Sequence, residues 1–178
     1  MRAHQTKNKG DLGVLHAQLD LAKRGFTVLL PLTEHAAFDI VAYAYKDDRF
    51  LRVQVKYRTA VAGCITVPLA TCWADRNGVH TVPIDRTAID LVCIFCPDTQ
   101  RCYYVDPRGC AKHIHLRIDE PRNHQKKGIQ WAKDYEQIPW TVLGVSAGYS
   151  RALEGRAYMR QSAGSRRPTL LRAHSSAG

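Results

Sequence analysis

The chain has 178 residues and a mass of 20.0 kDa, enough for one domain and a short extension. Hydrophobic residues make up 45% and charged residues 24%, which supports a buried core and excludes a chain disordered throughout. With 26 Lys and Arg against 16 Asp and Glu, the net charge of +10 favours a polyanionic partner, nucleic acid or an acidic membrane surface, over a neutral metabolite.

No apolar run reaches bilayer length, so no membrane span is expected. The start, MRAHQTKNKGDLG, has no apolar h-region and no small-residue cleavage site. The expected location is cytoplasmic, with access to the nucleoid, and not secreted.

Residues 1–10 are polar and basic. From Asp11 to Arg24 the pattern is helical, with Leu12, Leu15, Leu19 and Ala22 forming one apolar stripe at three- and four-residue steps. Gly25, after Lys23 and Arg24, stops the helix. Phe26–Leu30 reads as a short strand ended by Pro31, followed by a loop. Phe38–Tyr45 and Phe50–Arg58 read as strands joined by a turn over 46–49. Cys64–Leu69 is a further strand.

Residues 70–86 read as a loop with a turn at Asn77-Gly78. Ala88–Cys96 and Cys102–Val105 pair around Pro97-Asp98-Thr99-Gln100, and His113–Ile118 is a weaker strand. Gln125–Ile138 reads as a helix. The expected domain covers 1–140, and 141–178 is read as a basic C-terminal extension. Residues 149–178 carry six Arg and one Glu amid Ser, Ala and Gly, with a short helix over Arg151–Gln161 as an option.

Six cysteines sit at Cys64, Cys72, Cys93, Cys96, Cys102 and Cys110. Without an export signal they should stay reduced. Cys93 and Cys96 form a C-x-x-C, but AIDLVCIFC reads as a strand, where residues three apart point to opposite faces. Buried, inert thiols are expected, with a structural thiol or zinc protein as a minor alternative.

The hairpin from Phe38 to Arg58 carries chemistry. With the turn at 46–49, Phe38, Ile40, Ala42 and Ala44 oppose Tyr57, Val55, Val53 and Leu51, an all-apolar face. The other face places Asp39 directly across from Lys56, with Gln54 diagonal, on an accessible patch. A one-residue slip would bury Asp39, Arg52, Gln54 and Lys56 together at prohibitive cost. A carboxylate can hold a hard cation, and a neighbouring Lys can orient water or neutralise charge at a phosphate. An ordinary cross-strand ion pair is the bland alternative.

The blocks KGDLG at 9–13, GFTVLLPL at 25–32, FDIV at 38–41 and RVQVK at 52–56 resemble the PD-(D/E)xK nuclease superfamily. The Q-x-K form resembles the group I intron-associated homing endonucleases of bacteria. AIDLVCIF at 88–95, YYVDP at 103–107, IHLRID at 114–119 and NHQKKGIQWAKDYE at 123–136 extend the resemblance over roughly residues 5–138.

It implies an α/β, restriction-endonuclease-like core with a mixed β-sheet flanked by helices. It also implies hydrolysis of DNA phosphodiesters with Mg²⁺ (or Mn²⁺). Asp39 matches the metal-binding Asp, Gln54 the position usually held by Asp or Glu, and Lys56 the catalytic Lys. The Val55 carbonyl matches a further metal ligand. Double-stranded DNA is the implied substrate, and a homo-oligomer, dimer or tetramer, the implied assembly.

One departure matters. Where relatives carry a Glu in the first helix, this chain has Val14. Asp11 and Glu34 are candidate substitutes, though Asp11 also suits a helix cap or first turn and Glu34 a solvated loop. With Asp39 as the one sure carboxylate, weak metal affinity is expected. A catalytically weakened or inactive DNA-binding protein on the same fold is the alternative function. Expected phosphate contacts are Lys7, Lys9, Arg52, Arg58, Arg76, Arg122, Lys126 and Lys127.

Overall fold

The computed structural model describes residues 5–33, 35–121 and 127–144. Contacts divide the chain into units 1–144 and 145–178, and the described sheets and helices belong to the first. The extension, with the helix considered at 151–161, lies outside the described residues.

A five-stranded mixed sheet forms the centre, in the order β1 (Thr27–Leu29), β2 (Ile40–Ala44), β3 (Arg49–Tyr57), β7 (Leu91–Cys96) and β8 (Arg101–Val105). Only β3 and β7 run parallel; the other neighbours are antiparallel. The crossover between β3 and β7 holds β4 (Cys64–Pro68), β5 (Ala70–Asp75) and β6 (Gly78–Pro83). β4 pairs with β9 (His113–Arg117), while β5 and β6 form a hairpin of their own. This mixed sheet with a packed helix is the α/β, restriction-endonuclease-like core that the sequence predicts.

Each sheet face has its own apolar core. On one side, α1 (Gln5–Lys23) packs Ala17 and Leu21 against Ile40, Val53, Leu91 and Phe95, and Val142 from the short helix α2 (Trp140–Leu143) joins them. On the other, Ile65 and Val67 of β4 and Ile114 and Leu116 of β9 cover Val92, Ile94, Tyr103 and Val105. The alternation along β7 thus sends Cys93 to one core and Cys96 to the other, as expected of a strand. All six thiols are free.

Helix α1 corrects the sequence reading twice. It begins at Gln5, so Asp11 lies well inside it and is neither a cap nor a first-turn residue. The buried stripe is Gly13, Ala17 and Leu21, whereas Leu12, Leu15 and Leu19 are exposed. Close approach explains the choice. A Cβ on Gly13 would lie 3.3 Å from the Tyr57 Cβ and 3.5 Å from Val55 Cγ1. Small residues let the helix backbone sit against β3, and this outweighs the roughly 0.5–1 kcal/mol that a glycine costs inside a helix. At the far end, Asp20 accepts hydrogen bonds from the Tyr104 hydroxyl and from Arg24 Nε (2.6 Å), tying α1 to β8.

Three other expectations change. The stretch 70–86 contains strands β5 and β6 rather than loop alone, although the turn at Asn77-Gly78 stands. Of the helix expected over 125–138, the described part holds one 3-10 turn, Ala132–Tyr135. Gly128, at φ +73°, is incompatible with continuous helix there.

The β2–β3 register is also shifted by two residues. Ala44 pairs with Arg49 and Ile40 with Val53, so the loop is 45–48 rather than 46–49. Asp48 supplies the left-handed residue (φ 46°), a conformation Asp tolerates, and its carboxylate accepts the Tyr43 hydroxyl at 2.9 Å. A two-residue shift preserves which face each side chain occupies, so the chemistry survives the correction.

Candidate active site

The site forms where β2 begins beside the middle of β3. Asp39 donates its N–H to the Val53 carbonyl (2.9 Å), and its Oδ2 accepts the Val55 N–H (2.6 Å). The aspartate thus binds the backbone on both sides of Gln54. It does not stand directly across from Lys56, as the sequence register implied, because the true register moves Lys56 two residues along. Lys56 remains close enough for its charge to act on the carboxylate.

Alternation along β3 aims Gln54 and Lys56 away from α1, beside Val92 and Ile94 of β7. This is the face covered by the second core, so the groups are half-buried rather than on an open patch. Burial governs their titration. It raises the Asp39 pKa, opposed by the Val55 N–H and by Lys56. It lowers the Lys56 pKa, with Asp39 pulling the other way and Arg58 adding to the depression. The Gln54 Oε1 is buried and accepts no hydrogen bond among the described residues. An orphaned acceptor costs free energy unless something cationic or protic completes it.

These donors fit a hard cation. Asp39 offers a carboxylate and Gln54 an unused carbonyl oxygen, both oxygen ligands of the kind magnesium takes. The Val55 N–H already points to the β2 side, where Asp39 stands, and in a strand the carbonyl of the same residue faces the same edge. Among the described residues no group of three or more His, Cys, Asp or Glu converges. That gives a zinc or thiol cluster no support among those residues. Val14 packs against the α1-side core; Glu34 lies outside the described residues.

The expected phosphate contacts divide. Lys7 and Lys9 are exposed on the first turns of α1, and Arg76 is exposed at the tip of the β5–β6 hairpin. Arg58 neighbours Lys56 and donates to the Tyr57 carbonyl (3.0 Å). Arg52 is engaged within the fold. Its Nε and backbone N–H both bind Asp90 (3.0 and 2.9 Å), and its guanidinium reaches the Thr87 carbonyl. This fork anchors the entry to β7 and leaves less of Arg52 for a phosphate. Lys127 is exposed, and Arg122 and Lys126 lie outside the described residues.

Sequence reasoning missed Asp90 as the partner of Arg52. Its place one residue before the apolar run LVCIFC was the available signal.

A profile of the PD-(D/E)XK endonuclease family matches residues 4–138. The chain belongs to that family. Among solved structures, a bacterial homing endonuclease, I-Ssp6803I, has a similar fold, with a TM-score of 0.57 at 18% identity. The match covers 87% of this chain and 97% of that one. No curated protein matches. The PD-(D/E)XK assignment makes the chain a nuclease by family, and the matched residues include the β2–β3 hairpin that carries Asp39, Gln54 and Lys56.

Proposed function

We propose that the protein is a DNA endonuclease of the homing type that hydrolyses phosphodiester bonds with Mg²⁺ or Mn²⁺ and acts as a homo-oligomer on double-stranded DNA. The observation that carries this reading is the buried, unpartnered Gln54 Oε1 beside a carboxylate and a lysine whose pKa values burial moves toward each other. Asp39, Gln54 and the Val55 carbonyl would hold the cation. When bound, it would polarise the scissile phosphate and acidify an attacking water.

Lys56 sits where it can orient that water, take its proton, or neutralise charge building on the phosphate oxygens. Its lowered pKa leaves more of the neutral amine near neutral pH than a solvent-exposed lysine would have. Water adds to phosphorus, the bond to one sugar oxygen breaks, and that oxygen leaves with a proton. Exposed Lys7, Lys9 and Arg76 supply attraction for the backbone that does not depend on sequence.

The test is a plasmid nicking assay with wild type and Lys56→Ala, with and without Mg²⁺. The expected result is metal-dependent nicking that the variant loses by about 10²-fold or more. Equal nicking by both proteins removes the assignment.

Val14 favours a second reading, a DNA-binding protein with weakened or absent cleavage. By the resemblance, an apolar side chain stands where relatives carry a carboxylate, and it is half-buried against the α1-side core. This reading expects salt-sensitive DNA binding with no cleavage by wild type, and a gain of cleavage in Val14→Glu.

A further inference from the structure

Helix α1 turns three of its four leucines away from the domain. Leu12, Leu15 and Leu19 are 47%, 59% and 54% exposed, although their spacing is that of a buried stripe. The surface continues across a shallow groove lined by Leu15, Leu19, Val28 and Leu30, the last of these one residue beyond β1 and 60% exposed. On the α1 side of the sheet, Leu12, Leu15, Leu19 and Leu30 leave on the order of 400 Å² of apolar surface against solvent, about half of the ~800 Å² that each partner buries in a standard interface. A contiguous apolar patch of several hundred Å² is the size at which such surface often marks an interaction site.

We propose that this face is the interface between two copies of the chain, with α1 packed on α1 about a two-fold axis. The proposal deepens, and rests on, the homo-oligomer reading above by naming the surface. Two features select a second copy as occupant. The steps from Leu12 to Leu15, Leu19 and Ala22 are three, four and three residues, the narrow seam by which one helix packs on another, and a two-fold axis lets a single seam serve both partners. β1 is also the end strand of the sheet, paired only with β2 among the described residues, so its free edge adjoins the same groove and is available to the same neighbour.

The α1 face lies on the opposite side of the sheet from Gln54 and Lys56. Joining two chains there leaves both candidate sites uncovered.

The test measures particle mass in solution. Full-length wild type and Leu15→Ala/Leu19→Ala, free of DNA and metal, are compared by light scattering and sedimentation over a concentration series. Alanine keeps helix propensity, so circular dichroism should match. Wild type should have a mass that is a multiple of the 20.0 kDa chain, and the variant should fall to half that mass or dissociate at least tenfold more readily. A Leu15→Glu/Leu19→Glu variant that remains folded should show the halved mass throughout. Monomeric wild type overturns the proposal, and is what coverage of the patch by residues 145–178 of the same chain would give. So does an alanine variant whose mass and dissociation match wild type. Nicking measured in parallel separates the two readings: an inactive protein that still associates through α1 contradicts the nuclease assignment and not the interface.

Discussion

Asp39 is protonated more easily in the folded chain than in water, because burial outweighs the Val55 N–H and the Lys56 charge. The native state therefore binds more protons than the unfolded chain between 3.8 and the raised value. The contribution of Asp39 to stability is present below 3.8 and declines as pH rises through that window. Lys56 has the opposite sign. Its native form sheds its proton earlier, so its contribution improves as pH rises from the lowered value toward 10.5.

Near neutrality both groups cost stability to keep charged. Asp39→Asn retains an acceptor for the Val55 N–H and removes one of those charges. Its melting temperature should equal that of wild type below pH 4 and exceed it by about 1–3 °C at pH 7, as read by calorimetry without metal. Adding Mg²⁺ should raise the melting point of wild type more than that of Asp39→Asn, since the bound cation stabilises only a chain that can hold it.

At the scale of elements, the helix that braces the site depends on small residues. Gly13 and Ala17 bring α1 against β3, and Leu21 closes the contact deeper in the core. Leu21→Ala should cost about 2–5 kcal/mol, measured by urea unfolding.

The strands were legible because apolar alternation is a strong signal. Five of the predicted strands match β1, β2, β3, β4 and β9 within a few residues, and Ala88–Cys96 and Cys102–Val105 match β7 and β8. The helix face was not legible. A leucine stripe at helical spacing marks a face that seeks a partner, and it does not say whether that partner is the domain's own sheet. FDIV and RVQVK named the candidate site residues, but their mutual placement was not legible, because the turn falls at 45–48, with Asp48 left-handed, and shifts the pairing by two while keeping every side chain on its face. Strands β5 and β6 escaped notice because neither face of that ribbon is buried, so no apolar alternation marks it.

Across the whole molecule, charge sets how binding should respond to conditions. Half of the +10 resides in residues 149–178, and the remainder is spread over a domain with exposed Lys7, Lys9 and Arg76. DNA affinity should fall steeply and linearly on a logarithmic salt axis. Removing 149–178 should flatten that line, while Arg76→Ala should change its slope by about one unit or less. Filter binding at several salt concentrations reads both.

The β5–β6 hairpin departs from the domain and comes back at a single point, where the Ile84 N–H donates to the Leu69 carbonyl and the Leu69 N–H to that of Lys112. Its strands pair with nothing else in the described sheet order. Lineages can therefore lengthen, shorten or replace this finger without re-threading the scaffold beneath it. The candidate groups Asp39, Gln54 and Lys56 stay beside and on β2 and β3 while the projecting ribbon is free to diverge.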